Sequence, residues 1–399
     1  MNRCHGRMGL RAALALTLGL HGTALHAQIH AHPSAPGAHQ PTVLLAPGGV
    51  PLVNITTPSA AGVSRNIYRQ FDVGTPGVIL NNSRSGATTR LGGRVGANPW
   101  LASGPARVIL NEVRSTHPSH LNGWIEVAGQ RAEVIVANPA GIRVNGGGFI
   151  NAGRVTLSAG LPVMHAGALE GYRVKGGQVG GYGGGQVHIE GLGLDLRQTD
   201  HARVLARAIE VNAGLWANDL SLVTGANEVS ADASEVRPQA PERATTPDPP
   251  DATAEPTTPR FALDVAAIGG MYAGHIHLIG TEAGLGVNQA GTIDASGTLT
   301  LDVNGWLSTH SGARTVGQTV SINAHGVRNT EGTVIAARQH LSVAAGQIHN
   351  TEGALLLGLG DMALAASERL ENRSATIEAL GDLAIATPVL LNTNDHIAH

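Results

Sequence analysis

Cysteine, lysine and aromatic side chains are almost missing from this chain. Its 399 residues contain one cysteine, one lysine and only 3% aromatic residues. That leaves too few large side chains for the core of an ordinary globular α/β enzyme, whereas 54 glycines suit short strands joined by many turns. Charged residues amount to 14% and the formal net charge is −3, so we expect no nucleic-acid partner.

The first 27 residues have the pattern of a secretory signal peptide. Three arginines precede an apolar run at 12–20, and small residues lead to a predicted cleavage after Ala27. The run is too short to span a bilayer, and a buried N-terminal helix is the less favoured alternative. The single cysteine, Cys4, lies in this segment, so the predicted mature chain cannot form a disulfide. We expect a protein that passes through the periplasm and is secreted or held at the outer-membrane surface.

Composition divides the rest of the chain into three parts. Residues 28–230 alternate short β-rich runs with turns of Gly, Asn and Pro, after a Pro- and His-rich beginning at 28–62 that we expect to be loosely ordered. Residues 231–260 are rich in Pro, Thr, Asp and Glu, which predicts a linker or an extruded loop. Residues 261–399 contain a repeat. The early histidines lack cysteine or carboxylate partners at fixed spacing, so we predict no metal site and no cofactor.

Asparagine, with one threonine, recurs every 20 to 22 residues in the last part of the chain. The recurring positions are Asn288, Thr309, Asn329, Asn350, Asn372 and Asn392. Short apolar runs follow them in similar phase, and a β-like unit of about 20 residues is typical of one coil of a β-solenoid. Equivalent positions then stack about 4.8 Å apart, so we expect these side chains to form a hydrogen-bonded ladder. The sequence predicts an all-β, right-handed parallel β-helix.

Longer strings resemble the filamentous-haemagglutinin-type domain of two-partner secretion. They lie at 62–66, 71–73, 77–83, 111–113, 123–130, 137–160, 210–217 and 269–274. The resemblance covers nearly all of the chain after the signal peptide, except the acidic stretch. It implies a β-helical exoprotein whose N-terminal secretion domain, here 28–230, is recognised by an outer-membrane β-barrel transporter. Haemagglutinin-type repeats are implied at 261–399.

Two turn motifs of that family are present in altered form. The first occupies Asn98, Pro99, Trp100 and Leu101, and the second occupies Asn138, Pro139, Ala140, Gly141 and Ile142. The family usually has asparagine at the third position of each motif. Asn-Pro initiates a turn, because the Asn side chain caps it and Pro presets φ, so we expect both turns to form. A purely structural role and a role in transporter recognition stay equally open.

The resemblance implies an adhesin or haemagglutinin-like surface protein, without enzymatic activity, that binds host-cell or bacterial-surface receptors or glycans. One alternative is a truncated carrier, or a remnant, of a contact-dependent growth inhibition toxin. A less favoured alternative is a β-helix that cleaves polysaccharides. Such enzymes need carboxylates clustered with basic residues on one face, whereas Asp294 and Asp302 fall in different phases of the repeat.

Overall fold

The computed structural model describes residues 28–175, 178–179, 182–183, 185–239 and 259–395. The predicted signal peptide with Ala27, and residues 240–258 of the predicted linker, lie outside these ranges. Within them the secondary structure is almost entirely β, with two 3-10 helices, Gly37–His39 and Pro99–Leu101, and no α-helix. None of the described helices is long and apolar enough to cross a membrane.

The strands of the described ranges are numbered in chain order. Those up to residue 189 are β1 (Gln28–Ala31), β2 (Thr42–Leu45), β3 (Pro51–Asn54), β4 (Val63–Asp72), β5 (Val78–Asn82), β6 (Ala87–Thr89), β7 (Gly93–Val95), β8 (Val108–Val113), β9 (Ser119–Leu121), β10 (Ile125–Gly129), β11 (Ala132–Ala137), β12 (Ile142–Val144), β13 (Phe149–Ile150), β14 (Ala152–Ser158), β15 (Leu161–His165), β16 (Ala168–Val174), β17 (Gln178–Val179), β18 (Tyr182–Gly183) and β19 (Gln186–Ile189). Those that follow are β20 (Leu194–Leu196), β21 (His201–Ala206), β22 (Ala208–Val211), β23 (Gly214–Ala217), β24 (Asp219–Thr224), β25 (Asn227–Ser230), β26 (Val236–Pro238), β27 (Leu263–Val265), β28 (Gly270–Ala273), β29 (His275–Gly280), β30 (Val287–Gln289), β31 (Thr292–Ala295), β32 (Thr298–Thr309), β33 (Arg314–Asn329), β34 (Val334–Thr351), β35 (Leu355–Gly358), β36 (Asp361–Arg373), β37 (Thr376–Ala379), β38 (Leu383–Ala386) and β39 (Leu390–Thr393).

Successive coils stack their strands in parallel and form three faces over about 12 turns. Face A contains β4, β8, β11, β14, β21, β24, β29 and β38. Face B contains β9, β12, β19, β22, β27, β30 and β39. Face C contains β3, β5, β10, β13, β20, β23, β28, β31, β35 and β37. The long strands β32, β33, β34 and β36 bend around corners and serve more than one face. The predicted all-β solenoid is confirmed.

Aliphatic side chains fill the interior and stack coil upon coil. Alternate residues of a strand point to opposite sides, so every second residue faces inward. One inward row on face A, each member at most 1% exposed, is Ile276, Leu299, Val320, Leu341 and Met362. Burial of one such side chain contributes roughly 1.5–3 kcal/mol, which explains how a chain with few aromatic residues still has a stable core.

The N-terminal segment closes one end of the solenoid, so the expectation of a loosely ordered stretch at 28–62 is wrong. Strand β1 pairs antiparallel with β4, β2 pairs antiparallel with β3, and β3 joins face C beside β5. Ile29, Val53 and Ile55 are buried in the core. Composition predicts no order for this stretch. The first coil, however, has an unpaired strand edge, and the N-terminal segment forms hydrogen bonds with the backbone groups of that edge.

An antiparallel sheet packs against the outer side of face A. Strands β15, β16, β25 and β26 form a four-stranded sheet, so residues 231–239 of the predicted linker include a paired strand. The coils continue on both sides of the residues left undescribed, because β22 pairs with β27 and β24 pairs with β29. The Arg207 guanidinium donates to the Glu282 carboxylate at 2.9 and 2.7 Å, and this nearly buried pair ties the two sides together.

Candidate functional site

The first Asn-Pro motif forms a capped 3-10 turn. The Oδ1 atom of buried Asn98 accepts a hydrogen bond from the Trp100 backbone N–H at 3.0 Å, which caps the helix Pro99–Leu101. Its Nδ2 donates to the carbonyls of Ile55 at 2.9 Å and Asn81 at 2.8 Å. The Asn98 side chain is therefore fully used in joining three segments of the fold.

The second motif forms a turn with the same use of asparagine. The Oδ1 atom of buried Asn138 accepts from the Ala140 backbone N–H at 2.9 Å, while its Nδ2 donates to a backbone carbonyl and to the Ser119 hydroxyl, both at 3.0 Å. Pro139 is half-buried. Gly141 has φ of 111°, and a Cβ atom there would lie 3.0 Å from a backbone oxygen, so this turn requires glycine.

The two motifs differ in what they expose. Pro99 and Trp100 face solvent, with Trp100 49% exposed, and Leu101 is buried beneath them. In the second motif, Ala140 and Ile142 are buried. Where the family usually carries a polar asparagine, one turn thus offers an exposed aromatic ring and the other buries a methyl group.

Four asparagines on face B form a continuous hydrogen-bonded row. The Nδ2 atom of Asn329 donates to Asn350 Oδ1 at 2.8 Å, Asn350 donates to Asn372 at 2.8 Å, and Asn372 donates to Asn392 at 2.9 Å. The Thr309 hydroxyl donates to Asn329 Oδ1 at 2.7 Å and extends the row by one coil. Because each amide accepts from one coil and donates to the next, the row links coils along the axis.

Asn288 is not a member of this row, and its assignment to the ladder is corrected. Strand pairing aligns Asn288 with Ser308 and Gln289 with Thr309, so buried Gln289 occupies the ladder position. Asn288 is half-buried and donates to the Asp264 carboxylate at 2.9 Å. A shift of one residue turns a strand side chain to the opposite side, and sequence spacing alone cannot resolve that shift.

Three outward aromatic rings on face C were not identified as candidate site residues from the sequence. These are Trp124, Trp216 and Tyr272; the last two lie on neighbouring coils, with ring planes 14° apart and centroids 6.3 Å apart. A glycine two positions earlier, Gly214 or Gly270, lies under the ring of Trp216 or Tyr272. The pattern Gly-x-aromatic is the sequence signal that could have found these two rings.

Several carboxylates of the described chain are engaged in ion pairs. Glu112 accepts hydrogen bonds from Arg65 and Arg114, each at 2.7 Å. Asp294 lies on face C and Asp302 on face A, in keeping with their different repeat phases. Among the residues that the structure describes, no group of three or more His, Cys, Asp or Glu is placed to hold a metal ion.

A buried polar cluster lies beneath the four-stranded sheet. Burial raises the pKa of Glu133, although Arg154 and Arg203 act in the opposite direction. Burial also lowers the pKa of Arg203 and raises that of Tyr172. Desolvation is the leading cause of the pKa shift in all three groups, as expected for side chains packed in the protein interior.

Comparison with known protein families identifies the family to which this chain belongs. A family model described as "TPS secretion domain" matches residues 27–309. The chain belongs to the TPS secretion domain family. A second family model, "Haemagglutinin repeat", matches residues 294–397 of the same chain, which include the asparagine row. The resemblance inferred from the sequence is confirmed.

Individual relatives agree with this assignment. This chain is 48% identical over 295 residues to "Toxin CdiA" of Yersinia pestis, and the match covers 74% of this chain and 8% of that protein. It is 40% identical over 290 residues to "tRNA nuclease CdiA-2" of Burkholderia pseudomallei (strain 1026b), covering 71% and 9%. The crystal structure of the filamentous hemagglutinin secretion domain matches with a TM-score of 0.55 and 25% identity, over 92% of this chain and 98% of that one.

Family membership fixes the general role. The chain is a secreted, surface-exposed exoprotein of two-partner secretion. The chain spans less than a tenth of the length of these two curated relatives.

Proposed function

We propose that this chain directs its own export and then stands at the outer-membrane surface as a non-catalytic, adhesive stalk. The observation that supports this most is the division between inside and outside: the interior is mostly aliphatic and closely packed, so a partner can meet only the outward side chains. In this proposal, residues 28–230 are read by the transporter after cleavage behind Ala27. The stalk is the haemagglutinin-repeat part of the chain, residues 261–399.

Export would precede folding. The unfolded chain enters the periplasm, docks on the transporter and forms its coils outside the cell, one after another. Contacts between neighbouring coils are close in sequence, so folding can begin at one end and propagate.

Transporter recognition is proposed to use Pro99 and Trp100 of the first turn, because the hydrogen bond that caps this turn lies within the motif and can form before the coils stack. The asparagines of both motifs make all their contacts within the fold, so a change at Asn98 or Asn138 would disturb both folding and recognition. A change at Trp100 removes an exposed side chain and leaves the Asn98 cap in place.

A secretion assay with the partner transporter tests this. Trp100→Ser is expected to lower the secreted fraction at least tenfold, while circular dichroism of the purified variant stays that of the wild type. Ile268→Ser is the matched control, because Ile268 is a large apolar side chain that is 84% exposed on a distant coil. Secretion of Trp100→Ser at the control level would overturn the recognition role.

A second candidate function is carriage of a growth-inhibiting toxin. The names of the curated relatives favour it, since they are called toxin and tRNA nuclease and are 40–48% identical to this chain. Co-culture of producing and target cells separates the two functions. Cell binding without inhibition supports adhesion, whereas inhibition that a neighbouring immunity gene relieves supports toxin delivery.

A further inference from the structure

One outward column of face C crosses five neighbouring coils. Strand pairing places Gly148 beside Asp195, Asp195 beside Trp216, and Trp216 beside Tyr272. Trp124 lies level with Gly148, because β10 and β13 pair in register from the next residue on. With roughly 4.8 Å per coil, Trp124 and Trp216 stand three coils, or about 14 Å, apart along a straight line.

The aromatic rings of this column lie against glycine backbone. A Cβ atom at Gly148 would come 2.7 Å from the Trp124 ring, and a Cβ atom at Gly270 would come 2.7 Å from the Tyr272 ring. Trp216 covers Gly214 in the same way. Trp124 and Trp216 are half-buried and Tyr272 is 38% exposed, so each ring keeps part of its surface open to solvent.

An open groove of about 570 Å³ lies between Trp124 and Trp216. Leu192, which is 82% exposed, lines it together with Asp195 and Arg197. Arg197 Nη2 donates to Asp195 Oδ2 at 2.7 Å and its Nε donates to Oδ1 at 3.0 Å, so the two charges cancel. The Arg197 guanidinium carbon is 5.9 Å from the centre of the Trp216 ring.

We propose that this groove binds an uncharged, β-linked oligosaccharide laid along the solenoid axis. A pyranose ring has an apolar face that stacks on an aromatic face, and a hydroxyl edge that needs both donors and acceptors. The neutral Asp195–Arg197 pair offers both kinds of group. A straight column fits the straight ribbon of a β-linked chain, in which one sugar is about as long as one coil spacing.

Other ligand classes fit the groove less well. A polyanion needs excess positive charge, whereas the pair is balanced and the whole chain carries −3. A peptide added as a strand needs an unpaired edge, yet β10 and β23 are each paired on both sides. The oligosaccharide site gives the proposed adhesive role a ligand class, and it rests on that role.

Calorimetry on the purified full chain tests the proposal with cellotetraose and chitotetraose, and with curved maltotetraose for comparison. Saturable binding of a β-linked tetrasaccharide is expected, and Trp124→Ala or Trp216→Ala should raise its Kd at least tenfold. Trp306→Ala is the matched control, because this half-buried tryptophan also lies over a glycine, Gly326, but on face B. Its Kd should match the wild type.

Further variants keep the test decisive. Gly214→Ala lifts the Trp216 ring without removing it, and should weaken binding even if Trp216→Ala does not fold. Absence of binding by both β-linked sugars, or equal weakening by Trp306→Ala, would overturn the site. Tryptophan-dependent binding of heparin or oligo-dT in place of sugar would also overturn it. Secretion of Trp124→Ala is expected to be normal, so failure of this site and failure of export are separate results.

Discussion

Replacement of Asn350 by alanine breaks the asparagine row at its centre. The Asn350 carboxamide accepts from Asn329 at 2.8 Å, donates to Asn372 at 2.8 Å and donates to the Thr376 carbonyl at 2.9 Å. Asn350 is wholly buried, so water cannot replace these partners without opening the coils.

The three lost bonds set the expected size of the effect. A typical intramolecular hydrogen bond contributes about 1 kcal/mol net, and a buried group left without its partner costs about 1–3 kcal/mol. Asn329 keeps a longer bond of 3.3 Å to the Leu355 carbonyl, whereas the Asn372 Oδ1 atom loses its donor from the row. We therefore expect the free energy of unfolding to fall by about 3–5 kcal/mol.

Urea unfolding of the full chain, followed by circular dichroism, measures this loss, and hydrogen exchange shows which coils open. Asn288→Ala is the control, because Asn288 is half-buried and outside the row; its loss should stay below about 1 kcal/mol. An Asn350→Ala variant within about 0.5 kcal/mol of the wild type, or an equally large loss in Asn288→Ala, would refute the stabilising role of the row.

Three other changes test the rest of the solenoid. Arg207→Met leaves the Glu282 carboxylate without its partner and should lower the free energy of unfolding by about 3–5 kcal/mol, most of which Arg207→Met/Glu282→Leu recovers in urea titrations. The hydrogen bond from His188 lowers the pKa of Glu210 in the folded chain. The stability that the Glu210 carboxylate contributes is therefore complete above its ordinary pKa of 4.5 and is lost as the pH falls through its lower pKa in the folded state. Glu210→Gln should flatten that part of the stability–pH curve. Gly141→Ala forces a Cβ-bearing residue to φ of 111° and should cost about 1–3 kcal/mol in thermal unfolding. Wild-type stability of Arg207→Met or Gly141→Ala, or an unchanged acid limb in Glu210→Gln, would contradict these expectations.

The repeat part of the fold was predictable because its contacts are local in sequence. Each coil packs on a coil about 20 residues away, so the spacing of Asn329, Asn350 and Asn372 directly encodes the stack. Segment 28–62 carries no such period. Its order arises from pairing with β4 and β5, which composition does not report.

Side-chain orientation at the candidate site was less predictable. Asn-Pro predicts a turn at both motifs, and both turns form. Which third residue faces solvent depends on the segments packed around each turn, so Trp100 is exposed and Ala140 is buried. The ladder shows the same limit, since Asn288 and Gln289 differ by one residue and face opposite ways.

Inward and outward positions of a solenoid carry different physical costs, and this determines where function can be tested. An inward change such as Leu341→Ala opens a cavity between coils and costs about 2–5 kcal/mol, so its effect on export or binding would be confounded with folding. An outward ring such as Trp216 contacts its own and neighbouring coils, and its removal leaves the aliphatic rows intact. A difference between two outward tryptophans on different faces, Trp216 and Trp306, therefore reports what each face binds.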